Sequence, residues 1–245
     1  MAANVLVIIP ALNEQDSLPG TIERLRAQGF QNILVVDDGS GDQTAEQALR
    51  HHVNLLRMPF NTGIGGAVSL GLSYASRRKF QAVLRVDADG QHDESYAHSV
   101  LRPVLEGKVQ LCVGSRFLAP LEQETYRSSV CRRIGIRFFS YLITALTGQR
   151  ITDPTSGFNA FGPRAIALFS QSYPEDYPEP ETIVTAIRSG LGFCEVPVAM
   201  RPRQSGNSSI RYLRTLYYMV NVTLAIMLNY LRPVKHVPSE DRGRE

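Results

Sequence analysis

Two aspartates one residue apart, Asp87 and Asp89, end an apolar run that begins at Ala82. The run predicts a buried strand, and acids at the carboxyl end of a strand lie where open α/β sheets bind their ligands. Because successive side chains of an extended chain alternate between faces, the two carboxylates are expected to point the same way. Their oxygens suit a hard divalent cation, and so few protein ligands would leave coordination positions for phosphates. The spacing therefore predicts a cation site for a phosphorylated substrate.

Polar residues also follow two earlier predicted strands. The strand over 5–9 leads into the polar segment 13–17, and the strand over 32–36 leads into Asp37 and Asp38. Parallel strands end at the same edge of a sheet, so these clusters are expected to converge with the aspartate pair. Each cluster alone could instead cap a helix or form a turn, because short motifs of this kind have weak specificity.

The alternation of apolar runs with helix-forming segments predicts the fold class. The strands are continuous apolar runs, which is typical of a mostly parallel α/β sheet with helices on both faces. We expect this domain to span residues 1–209. A content of 43% hydrophobic residues excludes a disordered chain, and a net charge of +3 is too small to indicate a nucleic-acid partner. Three widely separated cysteines without a C-x-x-C pair argue against a disulfide framework and favour a reducing cytosol.

The part of the chain after residue 120 carries two candidate amphipathic helices. Residues 121–147 contain four arginines among apolar side chains, which predicts a helix with one basic and one apolar face. Residues 210–232 are strongly apolar but are interrupted by arginines and asparagines, so an interfacial helix that contacts a membrane or a second subunit fits better than a membrane span. Residues 233–245 form a polar tail that we predict to be disordered.

Two further acidic segments supply candidate catalytic groups. The segment from Tyr173 to Glu181 is acidic and rich in proline, and it precedes a predicted helix over 182–189. Its Glu179 and Glu181 are candidate general bases, although Glu181 could equally be a helix-start charge favoured by the helix dipole. Asp153 lies in a turn-forming segment and could serve a reactive group or anchor its own turn.

The ordered set of motifs resembles the family 2 nucleotide-sugar glycosyltransferases of the GT-A fold, and its middle is similar to the dolichyl- or polyprenyl-phosphate mannosyltransferase branch. The matching pieces run in the family's order and are Pro10-Ala11-Leu12-Asn13-Glu14, Val36-Asp37-Asp38-Gly39-Ser40, Asn61-Thr62-Gly63, Asp87-Ala88-Asp89-Gly90-Gln91-His92, Gly114-Ser115-Arg116, Asp153-Pro154-Thr155-Ser156-Gly157-Phe158 and residues 203–208.

The resemblance implies a role for each matching position. Donor-binding residues would be Pro10, Ala11, Asn13, Glu14, Asp37, Asp38, Asn61, Gly63, Asp87 and Arg203. Asp89 and Gln91 would bind Mg²⁺ or Mn²⁺, with Asp87 directed to the metal or the sugar. Arg116 would assist Arg203 at the diphosphate, because guanidinium groups match phosphate oxygens bidentately. Arg132 and Arg133 would bind an acceptor phosphate or rest on anionic lipid headgroups.

The identity of the acceptor depends on whether the chain supplies a base. A phosphate acceptor is already an anion, whereas a sugar hydroxyl needs a carboxylate to remove its proton. The polyprenyl-phosphate branch lacks a recognisable base loop, and this chain offers Glu179-Pro180-Glu181. We therefore expect inverting transfer to a hydroxyl of a lipid-linked or polysaccharide acceptor, with Asp153 as a weaker candidate for an acceptor-site acid.

Two alternatives stay open. One is a polyprenyl-phosphate acceptor, and the other is a non-catalytic nucleotide-sugar-binding subunit that positions a partner. In either case we expect a cytoplasmic protein, peripheral at the inner face of the membrane, with a nucleoside-diphosphate sugar as donor. An apolar C-terminal helix also makes a homodimer possible.

Overall fold

The computed structural model describes residues 4–118, 130–201 and 212–233. Its strands are β1 (Val5–Ala11), β2 (Ile33–Asp37), β3 (Asn54–Arg57), β4 (Ala82–Arg85), β5 (Leu111–Ser115), β6 (Asn159–Phe161) and β7 (Phe193–Pro197). Its helices are α1 (Leu18–Ala27), α2 (Thr44–Arg50), α3 (Ile64–Arg77), α4 (Ala97–Leu105), α5 (Val130–Thr147), α6 (Pro163–Phe169), α7 (Pro178–Arg188) and α8 (Tyr212–Leu231).

The strands form one sheet of order β3-β2-β1-β4-β6-β5-β7. All pairings are parallel except those of β6, which runs antiparallel to both β4 and β5. The prediction of a mostly parallel α/β sheet is therefore confirmed. β6 places Asn159 opposite Arg85 of β4, so the segment that precedes β6 lies beside the aspartate pair.

Both faces of the sheet are buried, which explains the continuous apolar strands. In β1, Leu6 and Ile8 pack on one face while Val7 and Ile9 pack on the other. Helices α3, α5, α6, α7 and α8 cover the first face, and α1, α2 and α4 cover the second. The central strands are thus held rigidly between two apolar layers, and their carboxyl ends carry the polar loops.

Two element boundaries differ from the sequence-based expectation. Helix α7 begins at Pro178 rather than near Thr182, so Glu179 and Glu181 occupy its first turn. Prolines are compatible with a first turn because its N–H groups have no intrahelical partner, and acids there are favoured by the helix dipole. Strand β4 ends at Arg85, which leaves both aspartates of the pair in the loop that follows.

The predicted C-terminal helix is present as α8. Val222 and Ile226 are buried against the first layer, whereas Tyr217, Leu224 and Leu228 are exposed. No helix among the described residues is both long and apolar enough to cross a membrane. Arg203 and most of the predicted tail lie outside the described residues, as does the side chain of Arg132.

Candidate active site

The loops after β1 and β2 are tied together at one edge of the sheet. The backbone N–H of Asn13 donates to Ser40 Oγ at 2.9 Å, and the N–H of Gly41 donates to Asn13 Oδ1 at 3.0 Å. The N–H of Glu14 donates to Thr44 Oγ1 at 2.8 Å. Asn13 has a positive φ of 55°, a conformation that asparagine tolerates better than most residues. The predicted donor-binding residues of β1 and of the loop after it, from Pro10 to Glu14, therefore lie next to those that follow β2.

Asp38 joins this edge to the loop before α3. Its carboxylate accepts hydrogen bonds from the backbone N–H groups of Thr62 and Gly63, both at 2.8 Å, and from Thr62 Oγ1 at 3.0 Å. Asp37 accepts from the N–H of Ser40 at 2.9 Å and forms an ion pair of 3.3 Å with Arg57. Both acids are buried. Through these bonds they hold the loops of the predicted nucleoside pocket, including Asn61 and Gly63.

The loop after β4 carries the predicted metal ligands. Val86 and Ala88 are buried, whereas Asp87 and Asp89 are half-buried, as expected for side chains that alternate between faces. The N–H of Gln91 donates to Asp89 Oδ1 at 3.0 Å. Among the described residues, no three or more His, Cys, Asp or Glu side chains converge on one metal position. Two carboxylates and an amide still suit Mg²⁺ or Mn²⁺, which commonly keep positions for phosphates.

His92 fixes the backbone of this loop. Its Nδ1 accepts a hydrogen bond from the N–H of Asp87 at 3.0 Å, and its ring stacks on Phe158 at 4.9 Å between centroids. Burial lowers the pKa of His92, which favours the neutral ring that this hydrogen bond requires. His92 therefore helps to hold the loop that carries the predicted metal ligands.

Arg85, which belongs to none of the sequence motifs, connects Asp87 to α7. Its Nε donates to Asp87 Oδ1 at 3.1 Å, and its Nη2 donates to Glu179 Oε1 at 2.8 Å. Burial alone would lower the pKa of Arg85, but Asp87 and Glu179 outweigh burial and raise it. An arginine within an apolar strand is the sequence signal that could have identified it, since a buried cation requires counter-charges nearby. The arginine brings Glu179 to the site.

Glu181 faces a different part of the molecule. Its Oε2 accepts a hydrogen bond from Asn229 Nδ2 of α8 at 3.2 Å, and burial raises its pKa. It lines a cavity of about 440 Å³ between α7 and α8, together with Thr185 and Arg232. Of the two glutamates predicted as bases, only Glu179 is linked to Asp87, through Arg85.

Arg116 and Asp153 form a buried bidentate ion pair. Arg116 Nε and Nη2 lie 2.6 and 2.7 Å from the two carboxylate oxygens of Asp153, and the N–H of Arg116 donates to the same group at 3.1 Å. Asp153 also accepts a bond from Thr155 Oγ1 at 3.3 Å, and its own N–H donates to Glu195 at 2.8 Å. Asp153 thus anchors its own turn, the second of the two roles predicted for it. It also positions Arg116.

The basic residues predicted at the acceptor lie on α5. Arg133 is exposed, as are Arg137, Ile134 and Phe138 on the same helix. The structure records no ion pair or hydrogen bond between Arg133 and another described residue. Arg133 therefore belongs to an outward basic and apolar surface.

Comparisons with known proteins identify relatives of this arrangement. Residues 6–168 match the family model described as Glycosyl transferase family 2. The chain is 32% identical to an undecaprenyl-phosphate mannosyltransferase of Micrococcus luteus, over 89% of this chain and 92% of that protein. It is 29% identical to a polyprenol monophosphomannose synthase of Mycolicibacterium smegmatis, over 84% of this chain and 80% of that protein.

A solved structure supports the architecture. Glucosyl-3-phosphoglycerate synthase from Mycobacterium tuberculosis, crystallised with Mn²⁺, UDP and glucosyl-3-phosphoglycerate, superposes with a TM-score of 0.70 at 21% identity. The match covers 94% of this chain and 80% of that chain, and at this identity it establishes the shared GT-A fold alone. The family match spans more than half of the sequence and contains the aspartate pair. The chain is a glycosyltransferase of family 2.

Proposed function

We propose that this glycosyltransferase transfers a sugar, with inversion, from a nucleoside-diphosphate sugar to the phosphate of a polyprenyl phosphate. The observation that carries the proposal is that each of the three acids predicted as a base or an acceptor-site group already has a protein partner. Asp153 is bound by Arg116, Glu179 is bound by Arg85, and Glu181 faces α8. A phosphate nucleophile needs no base, and the named relatives use polyprenyl-type phosphates. This acceptor is the alternative left open above.

The donor would bind at the edge where the loops after β1, β2 and β4 meet. Asp89 and Gln91, with Asp87, would hold Mg²⁺ or Mn²⁺, and the oxygen-only ligand set fits either ion. Such an ion, when bound, neutralises the negative charge that develops on the leaving diphosphate. Arg116 would stabilise the same charge from the side of β5, its guanidinium held in place by Asp153.

A polyprenyl acceptor places the reaction at a bilayer surface, where α5 and α8 would make contact. Exposed aromatic and aliphatic side chains lie on both helices, and Arg133 and Arg137 on α5 complement anionic headgroups. We propose a peripheral protein at the cytoplasmic face. Arg133→Glu together with Arg137→Glu should reduce cosedimentation with phosphatidylglycerol vesicles severalfold, whereas unchanged binding would contradict this part of the proposal.

The transfer itself is tested with undecaprenyl phosphate in anionic vesicles, Mn²⁺ and a panel of radiolabelled UDP and GDP sugars. The expected product is an organic-soluble glycolipid that mild acid hydrolyses, since a glycosyl phosphate is acid-labile. Asp89→Asn should abolish it with little change in melting temperature. Absence of product with every donor, while a glycolipid bearing a free hydroxyl is glycosylated, would refute the phosphate acceptor.

A hydroxyl acceptor remains the second candidate because one oxygen of Glu179 is available. Oε2 has no hydrogen bond to any described residue, and the side chain is 20% exposed. If Glu179 is a base, Glu179→Gln should reduce kcat by 10²–10⁴-fold for that acceptor. A non-catalytic subunit would instead leave glycan synthesis in cells intact in the Asp89→Asn variant.

A further inference from the structure

Arg85 is a buried cation with an unusual position for a parallel strand. It lies at the end of β4, and its side chain is only 2% exposed. A guanidinium removed from water is costly unless carboxylates surround it. Two carboxylates lie against it, that of Asp87 in the adjoining loop and that of Glu179 in the first turn of α7. These two residues are 92 positions apart along the chain. One side chain therefore sets the distance between the metal-binding loop and α7.

The packing around this group leaves it little freedom. A Cβ atom on Gly157 would lie 2.6 Å from Asp87 Oδ2 and 2.9 Å from Arg85 Nη2, so the turn before β6 sits directly on the pair. The buried phenol of Tyr173 lies close enough to interact electrostatically with both Arg85 and Glu179. Movement of Glu179 away from Arg85 would leave the buried guanidinium with only one of its two carboxylate partners.

The two oxygens of Glu179 have different surroundings. Oε1 is held by Arg85 at 2.8 Å, whereas Oε2 has no hydrogen bond within the described part of the chain. The side chain keeps 20% of its surface exposed. An ionised carboxylate accepts hydrogen bonds, and hydroxyl groups of a sugar are suitable donors.

We propose that Glu179 recognises hydroxyl groups of the donor sugar and that Arg85 is the positioning residue that presents it. The inference rests on the proposed function only in requiring a nucleotide-sugar donor, and it assigns Glu179 to specificity rather than to proton removal. A donor that lacks the matching hydroxyl, or presents it in the other configuration, leaves the carboxylate oxygen unpaired and is discriminated against.

Binding measured without acceptor tests this assignment independently of the acceptor's identity. Titration calorimetry of the full chain with Mn²⁺ would use UDP, UDP-glucose, UDP-galactose, UDP-N-acetylglucosamine, GDP and GDP-mannose. Glu179→Gln should weaken the best nucleotide sugar roughly 10- to 100-fold, as expected for a lost charge-assisted hydrogen bond, while the matching diphosphate stays within about twofold. The ratio of the affinities for UDP-glucose and UDP-galactose, or for whichever two sugars the wild type distinguishes most strongly, should also fall in Glu179→Gln.

Arg85→Lys should show the same selective loss, about fivefold or more, because a point charge cannot bridge two carboxylates as a planar fork does. Arg24→Gln is the matched control, since it removes another arginine–glutamate pair, with Nε 2.9 Å from Glu94, and should leave both affinities unchanged. Equal weakening of diphosphate and nucleotide sugar would show a merely structural role and overturn the proposal. So would unchanged sugar affinity with a reduced kcat in Glu179→Gln, which is the result expected of a base.

Discussion

Asp153→Asn tests whether the buried pair with Arg116 is as important to the fold as its geometry indicates. Both residues are almost fully buried, and two short hydrogen bonds join the guanidinium to the two carboxylate oxygens. Asparagine retains one acceptor oxygen but directs its NH₂ group at a guanidinium donor. The substitution therefore removes the carboxylate charge that binds both guanidinium nitrogens and brings two donors together.

The expected magnitude follows from the loss of one partner of a buried ion pair. Such losses cost about 3–5 kcal/mol in free energy of unfolding. For a chain of this size each kcal/mol lowers Tm by roughly 2–4 °C, so a fall of about 10 °C is expected. Asp16→Asn changes an exposed acid in the same way and should alter stability by less than about 0.5 kcal/mol.

Scanning calorimetry and urea unfolding of the wild type, Asp153→Asn and Asp16→Asn measure these differences in stability. The double variant Arg116→Met with Asp153→Leu should recover part of the loss, because an apolar pair removes both charges. Recovery stays incomplete since the backbone N–H of Arg116 loses its acceptor. Donor turnover should be lost in the double variant, because Arg116 is replaced. A Tm for Asp153→Asn within about 2 °C of the wild type would refute this account of the pair.

Three further substitutions probe other contacts. Asp38→Asn should raise the donor KM about tenfold, since the amide cannot accept from both Thr62 and Gly63; an unchanged KM in initial-rate assays would contradict this. Gly157→Ala should lower kcat/KM at least tenfold, because the new Cβ would displace Asp87, and unaltered kinetics would contradict the contact. Glu181→Gln removes a carboxyl group whose pKa is raised by burial. The Tm of the variant should therefore match that of the wild type near pH 4 and exceed it by about 1–2 °C near pH 7. A Tm difference that grows toward acid pH would contradict the direction of this pKa shift.

The sheet and its polar edge could be predicted because they follow from local patterns. Continuous apolar runs identify parallel strands, and their topology alone places the loops of Asp38 and Asp89 at one edge. The segment 178–181 was predicted as part of a proline-rich loop, although a first helical turn accepts proline. β6 was missed since three residues, Asn159–Phe161, carry too little periodicity to distinguish a strand.

The partners of charged residues could not be predicted, because they depend on the packing of distant segments. Nothing in the sequence around Arg85 indicates that Glu179, 94 positions later, lies against it. Likewise Asp153 resembles a candidate base until Arg116 is seen to occupy both of its oxygens. Residue types identified the acids of the site, and only the packing decides which of them are already neutralised.

The charge balance of the site gives a physical reason for a divalent ion. Among the described residues, the loop after β4 and the groups bonded around it hold six carboxylates and four guanidinium groups, those of Asp87, Asp89, Asp93, Glu94, Asp153 and Glu179 and those of Arg24, Arg85, Arg116 and Arg201. Burial keeps His92 neutral, so it adds no positive charge. Two negative charges remain among these described groups, and a diphosphate would add more. Since like charges repel strongly in a partly buried site, we expect a divalent cation to strengthen donor binding.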